Sequence, residues 1–139
     1  MAFDPDCIFC KIVAGAVPCV KLCEDAETLA FMDINPVHDG HALVIPKAHY
    51  PTAFAIDPEA IAACARTAAR VAKAVDAVLK PDGLNLIQSN GKGAGQSVGH
   101  FHFHVLPRRL GDDLLINWEL KPGDMARIAA VAEKLRRFL

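Results

Sequence analysis

The segment His100-Phe101-His102-Phe103-His104-Val105-Leu106 alternates polar and apolar side chains without a break. Successive side chains of an extended strand point to opposite faces, so this period commits the segment to a half-buried strand and the chain to a sheet with at least one covered face. His100, His102 and His104 then share one face, while Phe101, Phe103 and Val105 share the other and enter the core. Three of the chain's six histidines fall within these five positions, and such a row titrates near neutral pH. One metal ion held by the whole row would need strong distortion. At about 3.3 Å per residue, the outer two α-carbons stand roughly 13 Å apart with parallel side-chain directions. A solvated polar face or a pairwise metal cluster are the bland alternatives; split chemical roles are expected.

The remaining pattern supplies the rest of the sheet. Cys7 to Val13 carries apolar residues at helical spacing and ends at Ala14-Gly15, which predicts a short helix or turn. Val20 to Cys23 and Thr28 to Asp33 read as strands joined by the tight acidic turn Glu24-Asp25-Ala26-Glu27, and His41 to Pro46 reads as a buried strand. Asp57-Pro58-Glu59 is a helix start, an N-cap acid followed by proline at the first helical position. The alanine-rich stretch behind it, apolar over much of its circumference, stops at Lys80-Pro81-Asp82-Gly83. Leu84 to Gln88 reads as a strand, Asn90 to Gly95 as a glycine-rich loop, and about 123–138 as a final helix. The pattern predicts an α+β fold: an antiparallel sheet of about five strands, with one long helix and a C-terminal helix packed on it. At 139 residues, with no repeat or linker, a single domain over 1–139 is expected.

Charge narrows the partners. The chain holds 15 basic and 16 acidic residues, and no basic stripe marks a nucleic-acid surface. A local cavity can still bind a small anion. No run approaches the roughly 18 apolar residues that cross a bilayer. Met1-Ala-Phe-Asp-Pro-Asp carries acids where a secretory signal carries basic residues, so the expectation is a cytoplasmic protein with no membrane partner. Five cysteines, an odd number, suit core packing or metal ligation in a reducing compartment better than a disulfide framework.

Two further segments carry chemistry. Cys7-Ile8-Phe9-Cys10 is a CxxC, either half of a tetrahedral metal site or two small buried residues. Lacking a preceding strand, it does not suit a thioredoxin-like redox pair. In Asn90-Gly91-Lys92-Gly93-Ala94-Gly95-Gln96-Ser97, glycines let backbone N–H groups converge on a phosphate, and Asn90, Gln96 and Ser97 add side-chain donors. A flexible loop would carry the same glycines, but the position just before the histidine row favours a ligand.

Taken together, these segments resemble the histidine triad (HIT) family, whose signature is His-x-His-x-His followed by apolar residues. Phe31-Met32-Asp33-Ile34-Asn35-Pro36 and His41 through Ile45-Pro46-Lys47-Ala48-His49 resemble its two upstream blocks in order. Asn90 through Gly95-Gln96-Ser97-Val98, the triad and Pro107 resemble its phosphate-binding segment. The likeness is strongest over residues 7–107. Over 108–139 it is loose: Arg108-Arg109, Asp112-Asp113 and Trp118 match some bacterial members only in outline.

The resemblance implies that His102 attacks the α-phosphorus and becomes transiently nucleotidylated, with its second ring nitrogen donating to an acceptor such as a backbone carbonyl. His104, when charged, would bind phosphate oxygens. Asn90, Gly95, Gln96 and Ser97 would hold the phosphate, and Ser97 could protonate or position the leaving group. Asp33 would accept from the ribose hydroxyls, and Ile34 and Phe9 would line the base pocket. Such chemistry requires no metal. Some family members with this CxxC bind zinc, which implies a structural site of Cys7, Cys10, His49 and His100. His38 and His41 compete for the fourth position, and Cys19 and Cys23 are alternative thiols. The small Hint-like branch is homodimeric, which an apolar long helix would suit. The implied substrate is a purine nucleotide or nucleotide conjugate, such as a nucleoside phosphoramidate. A dinucleoside polyphosphate hydrolase, a hydrolase using the triad as zinc ligands, and a non-catalytic nucleotide-binding regulatory protein are alternatives; the intact His102 favours the enzyme.

Overall fold

A computed structural model describes residues 3–114 and 120–139, so Trp118 lies outside the described residues. The elements in chain order are α1 (Ile8–Val13), β1 (Lys21–Glu24), β2 (Thr28–Met32), β3 (Ala42–Pro46), α2 (Pro58–Leu79), β4 (Gly83–Gln88), a 3-10 turn (Lys92–Ala94), β5 (Phe103–Arg108) and α3 (Met125–Arg136). The five strands form one sheet in the order β1-β2-β3-β5-β4. Every pairing is antiparallel, the α+β arrangement expected.

Strand alternation sorts the sheet's two faces. Ala30, Ala42, Val44, Phe101 and Val105 meet α2 on one side, while Leu29, Phe31, Leu43 and Ile45 meet Phe9 and Cys10 of α1 on the other. The small residues on the α2 side let helix and sheet approach closely. Thr28 and Thr67 hydroxyls bond at 2.7 Å in that buried layer and tie β2 to α2.

Helix α2 begins as its sequence requires: the Asp57 carboxylate accepts from the Glu59 N–H, and Pro58 follows. It buries a single stripe, Ala63, Cys64, Thr67, Ala68, Val71 and Val75. Its reverse side is exposed and combines alanines with Arg66, Arg70 and Lys73. The helix is therefore one-sided, and its outward alanines serve helix propensity more than burial. Helix α3 forms where expected, capped by Asp124, but none of its residues is buried and none joins either core cluster, so the expected packing of this helix on the sheet is absent among the described residues. Among the described residues, no helix is long and apolar enough to cross a membrane.

The histidine row departs from the simple strand. Ladder pairing begins only at Phe103 and continues to Arg108. Residues 100–102 leave the ladder because their groups have other partners. The Phe101 N–H donates to the Tyr50 carbonyl, and the His100 carbonyl accepts from its neighbour's ring, His102 Nδ1. The alternation survives this exit: Phe101 stays in the α2 core and packs edge-on against Phe103.

Candidate active site

Behind β5, the Phe101–Val105 side is anchored in the core, and the opposite side carries imidazoles toward α1 and the β2–β3 turn. The three rings have three environments. His100 is wholly buried beside Cys7, Cys10 and His49. His102 is buried with its Nδ1–H donating to the His100 carbonyl at 2.7 Å, and Phe9 packs edge-on against the ring at 5.4 Å between centroids. His104 is half-buried and bonds through Nδ1 to His41 Nε2 at 2.8 Å.

A cavity of about 480 Å³ opens between α1, the β2–β3 turn and the histidine face. It brings together Phe9, Asp33, Ile34, Ser97, His102 and His104 from the residues singled out above. Ile8, Ile12, Val17, Pro18 and Cys19 add an apolar wall. An apolar end and a polar end suit a ligand with a flat base and a phosphate. Ile34 is 82% exposed and belongs to the rim. Asp33 sits where β2 ends: Oδ1 accepts from the Asn35 N–H at 2.8 Å, and Oδ2 lies 3.4 Å from His41 Nε2. A second groove of about 480 Å³, between α2 and β1, is almost wholly apolar and holds Arg70 as its one charged residue.

The glycine loop makes contacts of its own. Asn90, Gly95 and Gln96 do not line the cavity. Asn90 Oδ1 accepts from the Ala53 N–H, and the Asn90 amide donates to Gln88. Gln96 accepts from the Gly91 N–H and donates to the Pro51 and Val98 carbonyls. The loop's own N–H groups at Ala94, Gly95 and Gln96 close turns onto Gly91 and Lys92. These groups are spent on holding the loop, and only its end, Ser97 with Val98, reaches the cavity.

Burial also sets the electrostatics of the rings. Burial, reinforced by His102 and His41 nearby, pushes His104 down to about 4. That burial favours the uncharged ring at neutral pH. Burial also lowers His102, against the opposing effects of the His100 carbonyl and Asp33, which keeps its free nitrogen unprotonated. His41 is lowered too, again chiefly by burial.

The CxxC cluster assembles from three distant parts of the chain. Cys7 caps α1 through its sulfur, which accepts from the Cys10 N–H. His49 Nδ1 lies 3.4 Å from Cys10 Sγ, and His100 Nδ1 lies 3.4 Å from Cys7 Sγ, 3.7 Å from Cys10 Sγ and 3.2 Å from His49 Nδ1. All four donor atoms fall within 4.8 Å of one another. Tetrahedral zinc, with bonds of about 2.0–2.3 Å, separates its ligand atoms by about 3.3–3.8 Å, so this set fits the ion. His100 Nε2–H donates to the Pro46 carbonyl at 2.8 Å, which aims Nδ1 at the cluster. Burial holds His100 near 4, in the neutral ligating form, and pushes the Cys10 thiol up.

The competing ligands lie elsewhere. His38 faces Asp112 at 3.3 Å, His41 faces His104, Cys19 lines the cavity, and Cys23 lies on the α2 side of the sheet. Buried Cys64, pushed up to about 12 by desolvation, is an inert core thiol. His41 is the site residue whose part the sequence reading missed. Its signal lay in strand register: Met32 pairs with Ala42 and Leu43 with His104, which sets His41 between Asp33 and the triad. Gly40, at φ +90°, makes that turn possible, because side-chain-bearing residues rarely adopt that conformation.

Known proteins share this architecture. The family model described as HIT domain matches residues 14–111. An adenosine 5'-monophosphoramidase from Schizosaccharomyces pombe is 42% identical over 130 residues, covering 93% of this chain and 95% of that protein. The crystal structure of a HIT family protein from Bacillus anthracis superposes with a TM-score of 0.88 at 37% identity, covering 97% of this chain and 98% of that one. A zinc-bound histidine triad family protein from Mycobacterium smegmatis superposes with a TM-score of 0.75 at 38% identity, covering 95% and 97%.

Proposed function

We propose, from the premise that this chain belongs to the histidine triad (HIT) family, that it is a nucleotide hydrolase cleaving at the α-phosphorus of nucleoside phosphoramidates and related conjugates. His102 is its nucleophile. The observation that carries the reading is the state of that ring. Its Nδ1–H is committed to the His100 carbonyl at 2.7 Å, so the lone pair resides on Nε2 of a ring that lines the cavity. Similarity to an adenosine 5'-monophosphoramidase supports a P–N bond and a purine nucleotide as the substrate.

In the first step the Nε2 lone pair bonds to phosphorus, the P–N bond breaks, and the leaving amine takes a proton, with the Ser97 hydroxyl as its candidate donor. In the second step water attacks phosphorus and gives up a proton that restores the Ser97 hydroxyl, the P–Nε2 bond breaks, and a nucleoside monophosphate leaves with the ring restored. A nucleotidylated ring that keeps its Nδ1–H is cationic, so the His100 carbonyl stabilises the intermediate more than the resting ring. Phe9 limits ring rotation from the side. Asp33 takes the ribose hydroxyls, and Phe9 and Ile34 frame the base.

Cys7, Cys10, His49 and His100 hold zinc in this reading, and the bound ion's contribution is a structural cross-link of α1 to the chain entering β5. The whole chain is read as one HIT domain in a reducing cytoplasm, where its five free cysteines stay reduced. A homodimer completes the reading, joined through edge strand β4, whose Leu86 is 48% exposed.

The test is a panel of adenosine and guanosine conjugates with rapid quenching and mass analysis. The expected result is one nucleotidyl mass on His102, and a loss of about 10³-fold or more in kcat for His102→Ala. Full turnover by His102→Ala would remove the nucleophile from the mechanism.

A further inference from the structure

The third histidine of the cavity wall, His41, has no part in the chemistry above, yet it is 4% exposed and bonded at both ring nitrogens. The Val37 backbone N–H donates to His41 Nδ1 at 3.1 Å. A backbone N–H can only donate, so Nδ1 must present its lone pair. The single proton of the neutral ring is then on Nε2, and the 2.8 Å contact to His104 Nδ1 runs in one direction: His41 donates and His104 accepts. With its own Nδ1 accepting, neutral His104 carries its proton on Nε2. That nitrogen has no partner among the described residues, and His104 lines the cavity.

We infer that His41 is a positioning residue that fixes His104 as the Nε2–H tautomer, so that an uncharged N–H donor faces the nucleotide phosphate. The inference rests on the hydrolase reading for what the donor meets, and on geometry alone for the tautomer. Asp33 Oδ2, 3.4 Å from His41 Nε2, gives the same proton a second, weaker acceptor and keeps it on that side of the ring. His102 and His104 are thereby held in opposite tautomers. The first has Nδ1–H and a free Nε2 lone pair for attack; the second has a free Nε2–H for the oxygens whose charge grows during attack.

A metal reading of the same atoms is less consistent. Asp33, His41 and His104 offer donor atoms within 4.8 Å of one another. But the Val37 N–H occupies His41 Nδ1, so Nε2 holds the proton and has no lone pair for an ion.

Nitrogen-15 correlation spectra of the full chain with labelled histidine test the inference directly. His104 should show the Nε2–H pattern and His102 the Nδ1–H pattern, the second serving as an internal contrast, with His104→Gln providing the assignment. In His41→Phe the His104 ring should lose its single-tautomer pattern, and kcat should fall about five- to tenfold, as for loss of one neutral hydrogen bond's bias. His41→Gln, which keeps an amide donor and a carbonyl acceptor, should restore both.

An Nδ1–H pattern on wild-type His104 overturns the inference. So does an unchanged tautomer in folded His41→Phe, or movement of the His41 and His104 signals on titration with zinc or magnesium beyond the amount bound at the cysteines. If His41→Phe does not fold, the wild-type spectrum and His41→Gln decide. Should nucleotidylated His102 never form, the hydrolase reading fails, while the tautomer result stands separately.

Discussion

Stripping the ion from the Cys7, Cys10, His49 and His100 cluster should lower stability by an amount set by free zinc. Without an ion, the four donors keep thiol–imidazole contacts at 3.4–3.7 Å, an imidazole pair at 3.2 Å and backbone N–H bonds to the two sulfurs at 3.5 Å, all weak. An ion that binds the folded state alone stabilises it by about 2.7 kcal/mol at 100 times its Kd and about 1.4 kcal/mol more per further decade. For a chain of this size about 1 kcal/mol moves Tm by roughly 3–5 °C, so chelation from that starting point should lower Tm by about 10 °C. Binding to the same cysteines in the unfolded chain reduces the shift somewhat. The loss should concentrate at α1, a six-residue helix that buries only Phe9 and Cys10, and hydrogen exchange there should accelerate first. Scanning calorimetry across a buffered zinc series is the assay, with Cys7→Ser as the ligand-deficient comparison. Well below the lowered Tm, turnover should persist, because no step passes through the ion. A Tm indifferent to both chelator and zinc, with the same curve for Cys7→Ser, would refute the site.

Two further outcomes follow from the same geometry. Asp33→Asn keeps the acceptor for the Asn35 N–H but loses the carboxylate charge; KM for a ribonucleoside conjugate should rise about tenfold and that for its 2'-deoxy analogue little, and an unchanged ratio of the two would remove Asp33 from ribose binding. Leu86→Lys on the β4 edge should convert a dimer to a single chain in sedimentation equilibrium, and a wild type already sedimenting as one chain refutes the dimer.

Much of the fold was readable because its signals are local. Asp57-Pro58 starts α2 and Lys80-Pro81-Asp82-Gly83 ends it by backbone chemistry that needs no tertiary context. The Phe101, Phe103, Val105 face is likewise a property of period two. What the sequence did not convey is partner choice. Nothing in the spacing of Asn90 and Gln96 says that their amides bind Ala53, Gln88 and Pro51. The alanines of α2 look apolar all round, and only the sheet decides which stripe is covered. His104 reads as a charged phosphate ligand until its burial against His41 and His102 is known.

The departure of residues 100–102 from the ladder explains how one alternating run yields three different imidazoles. A carbonyl inside a sheet is already taken by the N–H of a neighbouring strand. Had β5 begun at His100, that carbonyl would be spent, and the His102 ring would lack the acceptor that directs its lone pair outward. Ladder pairing instead starts at Phe103, Tyr50 accepts the Phe101 N–H, and the His100 carbonyl is left for His102 Nδ1. The same exit frees the His100 side chain to turn toward the cysteines, where Pro46 holds its far nitrogen. His104, inside the ladder opposite Leu43, stays in register with the β2–β3 turn and so meets His41. A strand end placed between the first two histidines and the third is thus the local cause of three roles, and the anchoring of Phe101 in the α2 core keeps that end from sliding.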